Sequence, residues 1–284
     1  MVGKPNAGKS TLLNRIVGQK LSIMSDKPQS TRDRVVGILT AGEAQMIITD
    51  TPGLLDPKYA LQEAMQGAAV GALLDADVVV YLNDAREGVP PRLEVAAGLD
   101  RPLLKRPVLM VLNKSDLVSD VARQRLQEEV DGALLISALT GDGVDGLLST
   151  VDGLLPEGPW LYPAEDVSTQ SVRFFAAELI RETALEQLSE EVPYSIACEI
   201  EEFREDRSPV YIGAVIHVER DSQKRILIGD KGRRIREIGM SARKKIEGLI
   251  GEQVYLDLWV KVLQNWRRDE NALRRFGYHL PPKS

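Results

Sequence analysis

Four short stretches of this sequence carry residue types and spacings suited to holding a polyphosphate and one particular base. Gly3-Lys4-Pro5-Asn6-Ala7-Gly8-Lys9-Ser10 fits the spacing G-x-x-x-x-G-K-[ST]. Its glycines let backbone N–H groups wrap a phosphate at a helix N-terminus, where the helix dipole favours anions. Lys9 offers a point charge to β- and γ-phosphates, Ser10 a hydroxyl ligand for Mg²⁺, and Thr11 follows at the head of the helical stretch TLLNRIVG. Asp50-Thr51-Pro52-Gly53 comes directly after the apolar run QMIIT. A carboxylate there can hold the water shell of the same Mg²⁺, and the Gly53 N–H is free to approach the terminal phosphate. Taken alone, a strand ending in such a turn is common. Asn113-Lys114-Ser115-Asp116 closes the run PVLMVL. A fixed carboxylate at Asp116 accepts N–H bonds from guanine N1 and N2, whereas adenine has no donor at N1 and leaves that carboxylate unpaired. Ser137-Ala138-Leu139, after ALLI, sits where a backbone N–H can meet guanine O6.

Elements must position these stretches. QMIIT (45–49), DVVVYLN (77–83), PVLMVLN (107–113) and ALLIS (133–137) are apolar runs of strand length, and their continuous hydrophobicity fits a parallel sheet covered on both faces. Between them LQEAMQGAAVGALLDA and DVARQRLQEEV have helical periodicity. This alternation predicts an α/β, doubly wound domain over residues 1–155. The Pro- and Gly-rich stretch GLLPEGPWLYPAEDVST has no periodicity and predicts a linker over 156–170. A second, α+β unit over 171–284 follows: a helix (VRFFAAELIRETALEQL), two strands (YSIACEIEEF and VYIGAVIHVER), two short basic helices around GDKG, and a last strand (VYLDLWVKV).

Charge separates the two parts. The chain carries 36 Lys and Arg against 42 Asp and Glu, yet residues 220–284 hold 16 against 8. An acidic body with a basic tail suggests a small anionic ligand in one part and a polyanion in the other. The longest apolar runs are far too short to span a bilayer. A single cysteine, Cys198, allows no internal disulfide and no Cys-based metal cluster, and reads as a small core residue. The phosphate loop occupies the place of a signal peptide. These features point to a cytoplasmic protein. His217 and His279 lack partners at metal-ligand spacing and read as structural or solvated. Trp160, Trp259 and Trp266 read as packing residues first.

With its motifs in this order, the first part resembles a Ras-like P-loop GTPase of the translation-factor class. The resemblance sharpens further roles. Lys27-Pro28-Gln29-Ser30-Thr31-Arg32 looks like the first switch segment of Era-type GTPases, which implies that Thr31 closes over Mg²⁺ and the γ-phosphate. Asn6 matches the loop asparagine that coordinates K⁺ in related GTPases; a turn-forming Asn after Pro5 is the other reading. Leu54 stands where Ras has its water-positioning glutamine. A leucine cannot orient water, so intrinsic hydrolysis should be slow, and no general base is assigned.

In the second part, Ile228-Gly229-Asp230-Lys231-Gly232-Arg233-Arg234-Ile235-Arg236 places a G-x-x-G turn between two amphipathic helices. Such a loop in KH domains clamps the backbone of about four single-stranded nucleotides. Here the glycines admit close approach, and Lys231, Arg233, Arg234 and Arg236 supply charge. Helix, strand, strand, G-x-x-G helices and strand match a type II KH domain. A GTPase followed by this domain resembles the Era family over essentially the whole chain, from Gly3 to about Tyr278. That resemblance implies GTP and GDP as ligands, Mg²⁺ and K⁺ as cofactors, and a slow GTPase switch. It further implies binding to the 3′ region of small-subunit ribosomal RNA, assistance to small-subunit assembly, and peripheral contact with the inner face of the cell membrane; no DNA partner is expected. The family carries a strand before the phosphate loop, of which only Val2 is present here. A missing central strand is expected to expose its neighbours' edges and to leave the loop unanchored on one side. Because every downstream nucleotide motif is intact, a late start at Met1 is the expected explanation; the alternative reading is an RNA-binding KH module whose GTPase half is structurally compromised.

Overall fold

The computed structural model describes residues 1–99, 106–188 and 192–281. It divides into two compact units, Met1–Lys58 with Gln62–Thr169 and Tyr59–Leu61 with Gln170–Ser284.

In the first unit, helix α1 (Lys9–Val17) follows the phosphate loop, and strands β1 (Val35–Ala41) and β2 (Ala44–Asp50) form a hairpin. Helix α2 (Ala60–Asp75), β3 (Val79–Asp84), α3 (Leu93–Ala97), β4 (Val108–Asn113), α4 (Asp120–Glu129), β5 (Leu134–Leu135) and α5 (Val144–Asp152) complete it. β3, β4 and β5 are parallel, and β1 and β2 antiparallel. Alternation along β3 feeds two cores. Val79 and Tyr81 pack with Ala69 and Leu73 of α2 and Leu93 of α3, whereas Val80 and Leu82 pack with Leu12 of α1 and Leu147 of α5. A strand covered on both faces must be apolar at every position, which is why VVVYL reads as a continuous run. β1, α3 and α5 are elements that the sequence pattern does not announce.

The expectation of an unanchored phosphate loop is corrected. Among the described residues no strand precedes α1, but Val2 is buried and makes a parallel bridge to Tyr81. Its N–H donates to Val80 O at 2.9 Å, and its carbonyl accepts from Leu82 N at 2.8 Å. On the other side the Met1 ammonium donates to Thr49 O, and Thr51 Oγ1 donates to Met1 O, each at 2.8 Å. Two residues thus tie the β1–β2 hairpin to the parallel sheet, because backbone groups at this depth must find partners. Beneath Met1 a cavity of about 290 Å³ lies between β2 and β3, lined by Met46, Ile48, Val80 and Leu147 among others. The stretch expected as a linker is tethered to the hairpin. Trp160 Nε1 donates to Glu43 O, Gln45 Nε2 to Tyr162 O, and Ile38 N to Val167 O, at 2.8–2.9 Å.

The second unit contains α6 (Val172–Gln187), β6 (Ala197–Arg204), β7 (Val210–Val218), α7 (Asp221–Ile228), α8 (Arg233–Ile250), β8 (Val254–Val262) and α9 (Glu270–Arg275). Its sheet has the order β6-β7-β8, with β6 and β7 antiparallel and β7 and β8 parallel. Ser171 caps α6 by accepting from Phe174 N, and Asp269 caps α9 by accepting from Ala272 N. Of the two helices around the G-x-x-G turn, α8 is not short: it runs 18 residues and buries Ile238, Ala242 and Ile246. That four-residue spacing lays one apolar stripe along the helix. Trp266 is fully buried with its Nε1 donating to Ser195 O at 2.8 Å, as a packing residue must. Trp259 departs from expectation. It lies on β8 62% exposed, because its alternation phase puts it with Tyr255 on the sheet's open face. Trp160 is likewise 46% exposed, held by the bond to Glu43 rather than by packing. Cys198 is half-buried in β6, its thiol pushed far up by burial. His217 is buried between Glu199 and the Phe276 ring, and His279 is exposed.

Candidate nucleotide and nucleic-acid sites

Gly3-to-Ser10 bends between the Val2 bridge and α1. Gly3 and Gly8 have φ of +155° and +97°, and Asn6 of +61°, so the loop depends on residues that tolerate positive φ. A β-carbon on Gly8 would lie 2.2 Å from Asn113 Nδ2, and one on Gly53 would lie 2.5 Å from Pro5 N. Those two glycines allow the base loop and the D-T-P-G turn to press against the phosphate loop. Leu54 N donates to Gly3 O at 2.9 Å, and the Leu54 side chain joins Val2 and Tyr81 in the core. That aliphatic side chain itself carries no polar group to hold a water.

Lys9 is buried, its Nζ donating to Gly3 O at 3.0 Å and Lys4 O at 2.9 Å. Burial lowers its pKa to about 8, against the opposing pull of Asp50. Burial raises the Asp50 pKa, with Lys9 and the Ser10 hydroxyl pulling it down. Three oxygens from separate segments meet here. Ser10 Oγ donates to Asp50 Oδ2 at 2.7 Å, Thr31 Oγ1 lies 3.0 Å from Ser10 Oγ, and Thr31 Oγ1 lies 3.5 Å from Asp50 Oδ2. Among the described residues, Asp50 Oδ1 is buried without a hydrogen-bond partner. Two hydroxyls and a carboxylate with a spare oxygen form the hard donor set that Mg²⁺ takes. Asn6 Nδ2 donates to Asp26 O at 2.8 Å.

At the base side, Asn113 bridges loops. Its Nδ2 donates to Ala7 O and its Oδ1 accepts from Ala138 N, both at 2.8 Å. Of the backbone N–H groups of Ser137-Ala138-Leu139, one of which is expected to meet guanine O6, that of Ala138 is engaged by Asn113 in this structure. Arg15 of α1 supports the same loop from below: its Nε donates to Ala138 O at 2.5 Å, and its Nη2 donates to Leu139 O. Ser115 and Ser137 are buried, Leu139 is 71% exposed, and Asp116 is exposed. Lys114 has φ +64°, and its Nζ lies 2.9 Å from Asp84 Oδ2. Sequence reasoning missed Arg15 and Asp84. Asp84 carried a readable signal, a carboxylate ending an apolar strand just as Asp50 does; Arg15 carried none.

In the second unit, Gly229 (φ +71°) and Gly232 (φ +76°) flank Lys231 (φ +46°) in the turn between α7 and α8. Gly232 caps α8 without a side chain, so the first N–H groups of this helix are open to an anion. Asp230, Lys231, Arg233, Arg234 and Arg236 are exposed or half-buried around it, and Ile228 is half-buried. Arg233 Nε lies 2.9 Å from Glu237 Oε1 in a solvated pair.

Comparison with known proteins places both sites in context. The sequence model of the 50S ribosome-binding GTPases matches residues 1–114, and that of KH domains matches residues 191–267. GTPase Era of Carboxydothermus hydrogenoformans is 43% identical, over 98% of this chain and 96% of its own. GTPase Era of Ectopseudomonas mendocina is 45% identical, over 98% and 95%. Among solved structures, a tyrosine-to-alanine variant of Aquifex aeolicus Era bound to GDP·AlF4⁻ superposes with a TM-score of 0.91 at 41% identity, over 98% of this chain and 97% of that one. Era in complex with MgGDPNP and nucleotides 1506–1542 of 16S ribosomal RNA gives the same score, identity and coverage.

Proposed function

The chain belongs to the Era family of GTPases, and from that premise we propose that GTP held in the first unit governs how the second meets the 3′ region of small-subunit ribosomal RNA during assembly of that subunit. In this reading residues 1–155 are the GTPase domain, 156–170 the linker and 171–284 the KH domain. The observation that carries it is the meeting of Ser10, Thr31 and Asp50 oxygens beside the buried Lys9.

The backbone of Gly3–Ser10 and Thr11 cradles the phosphates, and Lys9 gives up its two loop carbonyls for phosphate oxygens. Ser10, Thr31 and Asp50 hold Mg²⁺, which when bound neutralises charge between the β- and γ-phosphates. Thr31 senses the γ-phosphate because its hydroxyl already abuts Ser10. Thr51, Pro52 and Gly53 turn the chain beneath that phosphate. Asp116 accepts hydrogen bonds from guanine N1–H and N2–H, with Asn113, Lys114, Ser115, Ser137, Ala138 and Leu139 forming the walls. Leu54 offers nothing to an attacking water, so hydrolysis is slow. Asn6 contributes its carbonyl to K⁺, since among the described residues only its Nδ2 is engaged. Anchoring of the loop at Val2 and Gly3 argues against a compromised scaffold. The cations at Lys231, Arg233, Arg234 and Arg236 take RNA phosphates around the glycines of the turn, with Ile228 and Asp230 lining it. We place the protein in the cytoplasm, the basic C-terminal residues making any peripheral contact with the inner membrane face. No helix among the described residues is long and apolar enough to cross a membrane.

The test measures binding of a fluorescent RNA carrying the 3′ end of small-subunit ribosomal RNA, with Mg²⁺ and either GDP or a non-hydrolysable GTP analogue. RNA affinity is expected to differ between the nucleotides and to fall tenfold or more, by about 1.4 kcal/mol, in the triple variant Lys231→Glu, Arg233→Glu, Arg234→Glu. In competition GTP should exceed ATP by about a thousandfold or more. Equal competition by ATP, or RNA binding indifferent to both the γ-phosphate and the charge reversal, overturns the reading.

A further inference from the structure

A lysine in a left-handed backbone conformation at the mouth of the base site needs something to hold it. Asp84 supplies that hold. It ends β3 in parallel register with Asn113, so its carboxylate emerges beside the 113–116 turn at the same sheet edge. The Asp84 side chain is 8% exposed, and its Oδ2 lies 2.9 Å from Lys114 Nζ. Arg86 closes the other side: its N–H and Nε donate to Asp84 Oδ1 at 3.0 Å each, and its Nη2 donates to Oδ2 at 2.6 Å. Burial alone would raise the Asp84 pKa, but the bonds from Arg86 and Lys114 outweigh it and hold the carboxyl well below the usual carboxylate range. The Asp84 end of the pair is buried, so the pair is screened less than one lying in solvent. Glu87 of the same turn reaches Lys4 at 2.7 Å, but both ends of that pair are about half exposed and solvated.

We propose that Asp84 is a positioning residue for guanine nucleotide: by pinning Lys114 it holds the Asn113–Asp116 turn in its base-gripping conformation without touching the nucleotide. The proposal rests on the reading that this turn takes guanine. It follows from the geometry because the left-handed Lys114 backbone is strained, and the Asp84 contact is the ion pair that fixes its side chain.

A double-mutant cycle on the full chain tests it, with GDP affinity and dissociation rate read from a fluorescent GDP analogue. Asp84→Asn keeps an oxygen for the Arg86 N–H and removes the charge. It is expected to weaken GDP binding about tenfold, mainly by faster dissociation. In a Lys114→Met background the same substitution should change affinity less than twofold, since the partner it acts through is gone. Full additivity of the two effects overturns the proposal, as does a single Asp84→Asn variant with wild-type affinity. An unchanged affinity in Lys114→Met alone instead overturns the guanine-turn reading on which the proposal rests. Should Asp84→Asn fail to fold, Asp84→Ser, which can still cap the turn but carries no charge, enters the same cycle with the same deciding outcomes.

Discussion

Asn113→Ala is the substitution whose cost can be worked most directly from the structure. Asn113 is 2% exposed, and its amide makes two buried hydrogen bonds of 2.8 Å, one to Ala7 O of the phosphate loop and one from Ala138 N. Truncation removes both and leaves a buried carbonyl and a buried N–H without partners, each costing about 1–3 kcal/mol. The space beside Gly8, where a β-carbon would lie 2.2 Å from Asn113 Nδ2, is opened as well. We expect the first unit to lose about 3 kcal/mol and nucleotide affinity to fall tenfold or more, because neither loop remains pre-shaped. Hydrogen exchange by mass spectrometry locates the effect: the Ala138 amide should lose protection while amides of β7 in the second unit keep theirs. Asn113→Asp separates the two bonds, retaining an acceptor for Ala138 N but placing a second oxygen against Ala7 O. It should be no better tolerated than the alanine. If Asn113→Ala costs less than about 1 kcal/mol and leaves Ala138 protected, the bridge is not what joins the loops.

The pH dependence of nucleotide binding follows from Lys9, whose pKa is lowered to about 8 by burial. Anion binding requires the protonated form, and its share falls from about nine-tenths at pH 7 to about a quarter at pH 8.5, so GDP affinity should drop about fourfold, with proton uptake seen by calorimetry in two buffers. A flat profile would remove Lys9 from the phosphate contacts. Gly53→Ala puts a methyl 2.5 Å from Pro5 N, against backbone that cannot yield, and should slow GTP hydrolysis and weaken nucleotide binding together in a single-turnover assay.

How far the sequence can be read depends on the range of the cause. Where a residue answers to its own backbone, the reading is good. The glycines of the phosphate loop and of the G-x-x-G turn have the positive φ that their pattern demands, and Ser171 caps α6 where a helix is expected. Apolar runs buried on both faces give β3 and β4 within a residue or two. Hairpin strand β1 escapes because Val35–Ala41 alternates weakly, with Gly37 inside it pressed against Leu13 and Val17 of α1. The five-residue α3 lacks enough turns to show a period, and α5 carries Gly146 inside it, which weakens a helical reading. Trp259 defies its pattern because periodicity fixes which residues share a face, not whether that face is covered. The anchoring of the chain before the phosphate loop through Val2 is likewise invisible, since one bridge residue has no pattern to detect.

What no local pattern could reveal is that the nucleotide loops hold one another. Asn113 ties the phosphate loop to the Ser137–Leu139 loop, Arg15 holds the latter from α1, Asp84 holds Lys114, and Gly53 and Leu54 press on Pro5 and Gly3. Each tie spans tens of residues and joins segments that the motifs present as separate. Because they share partners, their contributions cannot be additive. Loosening the base side should therefore be felt at the phosphates, and a guanine contact made through Asp116 gains leverage over the loop that holds Lys9. A nucleotide with the wrong base would then lose more than its own missing hydrogen bonds. It would also lose the alignment of the phosphate cradle, so base discrimination should appear in Mg²⁺-dependent phosphate contacts as well as in the base pocket itself.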